Sequence, residues 1–206
     1  MLEALLPFIL TSFAMELTPG PNMGYLTVLS LDRGRKAGLA AAAGVALGLL
    51  ILGLAAGFGL GTIISETRWL YEALRWGGVA YLVWLAWDCY RESRRPLDVS
   101  DTERNLSGYF GRGLLTNLLN PKAAVFYIAV MPNFVVVDQP TAPQALILTL
   151  TYVGVSTIVH LGIVLLASTL QPLLASDRTR RVAGIVFAVL LVFIAIWLAI
   201  TTHRVW

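Results

Sequence analysis

Thr18, Pro19, Gly20, Pro21 and Asn22 put turn chemistry in the middle of an apolar run that extends from about Leu5 to Ser30. In a water-soluble protein such a stretch is a surface turn. Here roughly ten largely apolar residues lie on each side, so the turn falls near the centre of a membrane span. Backbone groups freed by prolines cannot face lipid, where each unpaired polar group costs several kcal/mol. They must be buried in protein or line a cavity. The stretch is therefore a candidate binding site.

The composition agrees with a membrane setting. Only 13% of the residues are charged and 57% are hydrophobic, whereas a soluble domain is about a quarter charged. Six apolar segments run over about 5–30, 37–64, 69–90, 110–137, 143–170 and 182–202. Each approaches or exceeds the roughly 20 residues that cross a bilayer core. The length suits a single domain over 1–206. The start of the chain lacks a basic n-region and carries Glu3, unlike a signal peptide.

The charges of the connections set an orientation. Arg33, Arg35 and Lys36 follow the first segment, Arg91, Arg94, Arg95, Arg104 and Arg112 the third, and Arg178, Arg180 and Arg181 the fifth. The opposite side holds Arg68, Arg75 and Arg204. By the positive-inside rule the odd connections are cytoplasmic and both termini lie outside. The stretch 91–107 mixes charge signs around Pro96 and reads as a solvated linker between halves of about 1–92 and 108–206. Three spans per half make the repeat an inverted one. The expected fold class is thus all-α: a polytopic membrane protein of six transmembrane helices, in two inverted three-helix repeats, with helices 1 and 4 broken. Matched interruptions of this kind point to a transport site near the midplane.

The second interruption is Asn117-Leu-Leu-Asn120-Pro121-Lys122. Asn is a preferred N-cap and Pro a preferred first helical residue, so a half-helix is expected to start at Asn120. Thr18-Pro19 has the same order, with Gly20 permitting close backbone approach. Two half-helix N-termini meeting from opposite sides favour an anion such as a carboxylate. Lys122 adds a full positive charge, and at a helix N-terminus it calls for an anionic partner or ligand. Glu16, just before the first break, is costly at mid-membrane unless paired or protonated. Three readings of it stand: a proton carrier, a site for an ammonium group, or a structural partner of Lys122.

Asp88 and His160 are further candidates for proton coupling. Asp88 shares a helix face with Tyr81 and Trp84, and also fits an acid at the rim of an interfacial aromatic belt. His160, mid-way along the fifth segment, suits a proton relay or a hydrogen bond to a neighbouring helix. Gly44 and Gly48, and Gly53, Gly57 and Gly61, recur at spacings of four that let helices approach closely, within one chain or between copies. Cys89, the one cysteine, excludes an internal disulfide and a paired-cysteine relay. With His160 and His203 as the two histidines, a structural zinc site is not expected. No catalytic triad, phosphate loop or cofactor motif appears, and no basic, aromatic patch suggests nucleic acid.

These residues resemble the LysE/RhtB family of amino-acid exporters. Residues 17–23, Leu-Thr-Pro-Gly-Pro-Asn-Met, are similar to that family's first-span signature. The stretch from Arg33 to Gly38, with Gly44 and Gly48, resembles its first loop and second span. Gly78 to Trp87 resembles its third span, and Gly113 to Ala123, running on to Phe126, Met131 and Pro132, its fourth-span motif. The resemblance covers essentially the whole chain. It implies a bacterial inner-membrane exporter of amino acids or derivatives that exchanges them for protons, with no enzyme activity and no cofactor. It carries the substrate site onto Thr18, Pro19, Gly20, Pro21, Asn22, Asn117, Asn120, Pro121 and Lys122. Glu16 and Asp88 depart from the family pattern and are candidates for tuning the substrate.

The partners expected are a small amino-acid-like solute, protons, the lipid bilayer and, through the glycine stripes, a second copy in a homo-oligomer. The alternatives are efflux of another small solute or metal ion on the same scaffold, a membrane enzyme or redox relay, and a non-transporting scaffold. The scarcity of intramembrane Cys, His and acidic residues weighs against metal efflux and an enzyme. A scaffold leaves Glu16 and Lys122 without a purpose.

Overall fold

A computed structural model of the chain describes residues 2–18, 20–57, 67–92, 94, 105–136, 140–170 and 177–201. Among them all regular structure is helical: α1 (Leu2–Leu17), α2 (Pro21–Gly57), α3 (Arg68–Glu92), α4 (Leu106–Leu118), α5 (Pro121–Val125), α6 (Thr141–Thr169) and α7 (Asp177–Thr201). A π-helical turn (Phe126–Val130) and a 3-10 turn (Met131–Phe134) continue α5. Most of the 91–107 linker, and residues 58–64 of the second apolar segment, lie outside the described residues.

α2 is a hairpin rather than a rod. Gly34 adopts φ 81° and ψ −174°, a backbone region that is essentially reserved for glycine. The chain folds back there. A Cβ built on Gly38 would lie 3.2 Å from the Ser30 Cβ, although eight residues of straight helix span about 12 Å. The expected loop after the first segment is thus one tight turn, with arms over 21–33 and 35–57.

The surface is apolar and the interior holds the polar groups. Leu6, Leu10, Phe13 and Leu17 of α1 are exposed, while Phe8, Ser12 and Glu16, four apart, are buried. α6 follows the same rule: Ile147, Leu150, Ile158 and Leu166 face out, and Leu148, Tyr152, Ser156, His160 and Val164 form a buried stripe. Such a surface is ordinary in lipid and untenable in water. By length and apolar character α6 can cross a bilayer, and so can α2, whose 35–57 arm alone exceeds the roughly 20 residues required. The pair of helices that meets at Asn120, bent by 51°, makes a third crossing if taken as one broken span.

Helix pairing cuts across the two sequence halves. α2 packs most extensively on α4 and α6, and α3 packs on α7. The halves therefore interlock, and a rigid rocking of one sequence half against the other would tear these interfaces. The glycine stripes serve packing within the chain. Gly44 and Gly48 face α4, while Gly53 faces Thr149 and Gly57 faces Ala145, both of α6. A Cβ on Gly44 would sit 2.8 Å from the Leu114 backbone nitrogen and 3.0 Å from the Phe110 carbonyl carbon. Backbone cannot swing aside, so Gly44→Ala should destabilise the α2–α4 interface by about 1–3 kcal/mol. A thermal unfolding scan in detergent checks this. Gly111→Ala, also within α4 but where a Cβ meets nothing within 4 Å, is the control that should keep the midpoint or raise it slightly, alanine being the better helix former.

Candidate functional site

Both breaks form where the sequence removes helix donors, but they are built differently. α1 ends as the Thr18 amide donates to the Met15 carbonyl (3.1 Å) and the Thr18 hydroxyl to the Ala14 carbonyl (3.3 Å). Pro19, assigned to the site from the sequence, lies outside the described residues. α2 starts two residues later than the Thr18-Pro19 pair suggests. Pro21 is its first residue, and the Gly20 carbonyl accepts the Gly24 amide at 3.0 Å. Thr18 thus closes α1 rather than capping α2. Gly20 takes the cap position because it directly precedes Pro21, whose fixed φ and missing N–H suit the first helical residue.

The second break follows the expectation. Asn120 is extended (φ −87°, ψ 107°), its side chain accepts the Lys122 amide at 3.0 Å, and Pro121 opens α5. The Asn120 carbonyl accepts the Ala124 amide at 3.2 Å, while its own amide donates to the Asn117 carbonyl at 2.9 Å. The polypeptide is therefore capped on both sides of the bend.

The two breaks touch. The Asn22 Nδ2 donates to Asn117 Oδ1 at 2.8 Å, joining the first turn of α2 to the last turn of α4. Gly48 makes room for this pair, since a Cβ there would lie 2.8 Å from Asn117 Nδ2. The remaining Asn22 Oδ1 and Asn117 Nδ2 are buried with no hydrogen-bond partner. Lys122 crosses Gly20, where a Cβ would come within 3.3 Å of its Cδ, and donates from Nζ to the Thr18 carbonyl at 2.7 Å. Its charge thus rests on the C-terminal end of α1, the negative end of that helix dipole. This answers the need for a partner without an ion pair to Glu16, which does not form.

Glu16 is bound from α6 instead. Its Oε1 accepts the Tyr152 hydroxyl at 2.6 Å, and its Oε2 lies 3.4 Å from His160 Nε2, without an aligned hydrogen bond. The Ser156 Oγ stands 3.3 Å from His160 Nδ1. Glu16 is 4% exposed, and Tyr152 and His160 each 1%. These groups and the two breaks enclose a cavity lined by Glu16, Gly20, Asn22, Asn120, Lys122 and Tyr152, among others. Its free volume is about 10 Å³, the size of one water molecule. An opening motion is therefore needed before anything as large as an amino acid can enter.

The arrangement offers a carboxylate and an ammonium facing one small polar space, with an amide acceptor and an amide donor beside them. That is the complement of a zwitterion. Of the residues singled out in the sequence, Glu16, Thr18, Gly20, Pro21, Asn22, Asn117, Asn120, Pro121, Lys122 and His160 come together. Asp88 does not. It pairs with Arg112 of α4 at 2.5 Å, where the Tyr81 hydroxyl donates to the Arg112 carbonyl at 3.2 Å and the Arg112 guanidinium lies over the Trp84 ring. Arg112, grouped above with a connection, is a helical residue. Tyr152 and Ser156 escaped the sequence reading. Their signal was there: Tyr152, Ser156 and His160 recur every four residues along an otherwise apolar segment.

A family model described as "LysE type translocator" matches residues 13–202. The homoserine/homoserine lactone efflux protein of Salmonella typhimurium is 30% identical over 197 residues, which is 95% of this chain and 96% of that protein. An uncharacterized membrane protein of Vibrio cholerae is 32% identical over 188 residues, covering 88% and 91% of the two chains. The threonine efflux protein of Escherichia coli K12 is 32% identical over 124 residues, 58% of this chain and 60% of that protein. No solved structure matches the chain.

Proposed function

As the chain belongs to the LysE type translocator family, a family of transporters and not of enzymes, we propose that it exports amino acids or their derivatives from the cytoplasm in exchange for protons. The observation that carries the reading is the shared cavity of Glu16 and Lys122 at two helix breaks that touch. In this reading the substrate carboxylate takes the Lys122 ammonium and the half-helix N-termini, and its amino group takes Glu16 and the free Asn22 carbonyl oxygen. Glu16, with His160 beside it, carries the proton. Asp88 has no place at the site and is a lesser candidate for coupling. The substrates named for the relatives, homoserine, its lactone and threonine, set the size class: small, polar and bearing an amine.

The membrane arrangement belongs to the same proposal. α1 with the 21–33 arm forms one broken span, the 35–57 arm the second, α3 the third, α4 with α5 the broken fourth, and α6 and α7 the last two. With both termini outside, the Gly34 turn and the Asp88–Arg112 pair face the cytoplasm. The setting is the bacterial inner membrane. Alternating access then opens the cavity by moving the α3–α7 pair, which is tied to α4 chiefly through Arg112 and to α2 through α7, against the remaining helices.

Counterflow and efflux from proteoliposomes, with a panel of labelled amino acids and with or without a proton gradient, test the reading. Saturable transport of a small amino acid, faster when the acceptor side is acidic, is expected. No transport of any amino acid or derivative would overturn it.

A further inference from the structure

We propose that Tyr152 is a positioning residue that transmits the protonation state of Glu16 to the second broken helix. The inference rests on the reading of Glu16 as the proton carrier. Its first support is the hydrogen bond from the Tyr152 hydroxyl to Glu16 Oε1, at 2.6 Å and buried. Its second is the other side of the same ring. Tyr152 stacks on Phe126 with centroids 3.8 Å apart and planes 15° from parallel, and meets Tyr127 edge-on at 5.3 Å. Phe126 opens the π-helical turn that continues α5, one turn beyond Lys122.

That turn is built to give. The Met131 amide bonds to the Phe126 carbonyl, five residues back, instead of four. Pro132, next in the chain, has no N–H, and in a regular helix its ring would strike the Ile128 carbonyl. The wider turn avoids that clash, and Asn133 Nδ2 takes up the freed Ala129 and Val130 carbonyls at 2.7 and 3.2 Å. Single π turns within helices are frequent at functional sites. The Tyr127 hydroxyl, buried in the same cluster, has no hydrogen-bond partner. The cluster is one hydrogen bond short in this packing.

The chain of consequence is short. A carboxylate at Glu16 holds the Tyr152 hydroxyl by a charge-assisted bond. Protonation removes the charge and weakens the hold. The ring is then free to move with Phe126, and the π turn moves the half-helix that carries Lys122. Proton uptake at one end of the substrate and release of the carboxylate at the other become one event. The titratable groups facing Glu16 are Tyr152 and His160 from α6, Lys122 from α5 and Tyr127 from the π turn. From α2 it meets the neutral Asn22 and Met23.

The test uses the full chain in proteoliposomes with labelled homoserine, or threonine if homoserine is not carried. Net efflux is measured against external pH, and homoserine exchange at equal pH on both sides. Tyr152→Phe keeps the ring and removes the hydroxyl. It should cut the acid stimulation of net efflux by about tenfold, several times more than it lowers exchange. Phe126→Leu, which keeps apolar bulk and loses the stack, should act in the same direction. The double variant should be no worse than the stronger single one, because both break the same link. Wild-type acid stimulation in Tyr152→Phe overturns the inference, as does an equal loss of exchange, which marks a substrate-binding or folding role. Absence of acid stimulation in the unmodified protein overturns the proton-exchange reading beneath it, and that outcome is visible before any variant is made.

Discussion

Glu16→Gln should abolish the response of efflux to a proton gradient while leaving the protein folded. The residue is 4% exposed, and its carboxyl contacts the Tyr152 hydroxyl at 2.6 Å and His160 at 3.4 Å. Glutamine has nearly the same shape, and its carbonyl still accepts from Tyr152. It cannot take up or release a proton. The loss therefore falls on coupling rather than on packing. Gradient stimulation of amino-acid efflux should drop by about 100-fold or more, a barrier change of about 3 kcal/mol. The same variant separates the two roles left to Glu16. A carrier alone leaves exchange at equal pH intact. A residue that also binds the substrate amine loses a charged hydrogen bond worth about 1.5–3 kcal/mol, and the half-saturating concentration rises about 10- to 100-fold. Full gradient stimulation in Glu16→Gln would remove this residue from the coupling machinery.

Lys122→Ala is expected to act on binding instead. Its Nζ is an ammonium lining the cavity, held over Gly20 by the Thr18 carbonyl at 2.7 Å. Removing it leaves a substrate carboxylate with backbone donors and amide groups alone. A loss of about 2–4 kcal/mol follows, or roughly 30- to 1000-fold in apparent affinity. The cost to stability is smaller, about 1 kcal/mol, because the bond to the end of α1 is partly exposed. Binding measured by thermal-shift titration with an amino acid that the unmodified protein transports, alongside exchange rates, checks both terms. Lys122→Arg should recover only part of the affinity: the stem crosses Gly20 closely, and a planar guanidinium is a wider head than an ammonium. An unchanged half-saturating concentration in Lys122→Ala would place the carboxylate elsewhere.

The places where the helices break were legible because the cause is local. Asn120 before Pro121 combines a preferred cap with a preferred first helical residue, and the structure starts a helix there. The first break was read two residues early. Thr18-Pro19 and Gly20-Pro21 both satisfy the cap-then-proline pattern, and only the packed helix decides which pair is used. Glycine spacing disclosed close helix approach but not its address; Gly44 and Gly48 lie on α4, Gly53 and Gly57 on α6. Asp88 stands in the sequence as a lesser candidate than Glu16, an acid near the end of a span beside an aromatic belt. It is set apart by Arg112, its partner from α4.

What the sequence by itself determines is where the main chain runs out of donors and which side chains are too polar for lipid. Both follow from residue chemistry: proline has no N–H, and a carboxylate or ammonium in hydrocarbon must find a partner. What only the tertiary structure decides is which partner. Glu16 meets Tyr152 across 136 positions of sequence, and Lys122 meets Thr18 across 104. A stripe of residues four apart names the face of a helix that turns inward, but not the helix it turns toward. That choice is made by the fit of whole helix surfaces, with α1 against α6 and α2 against α4. It brings an isolated acid and an isolated lysine to the lining of one cavity.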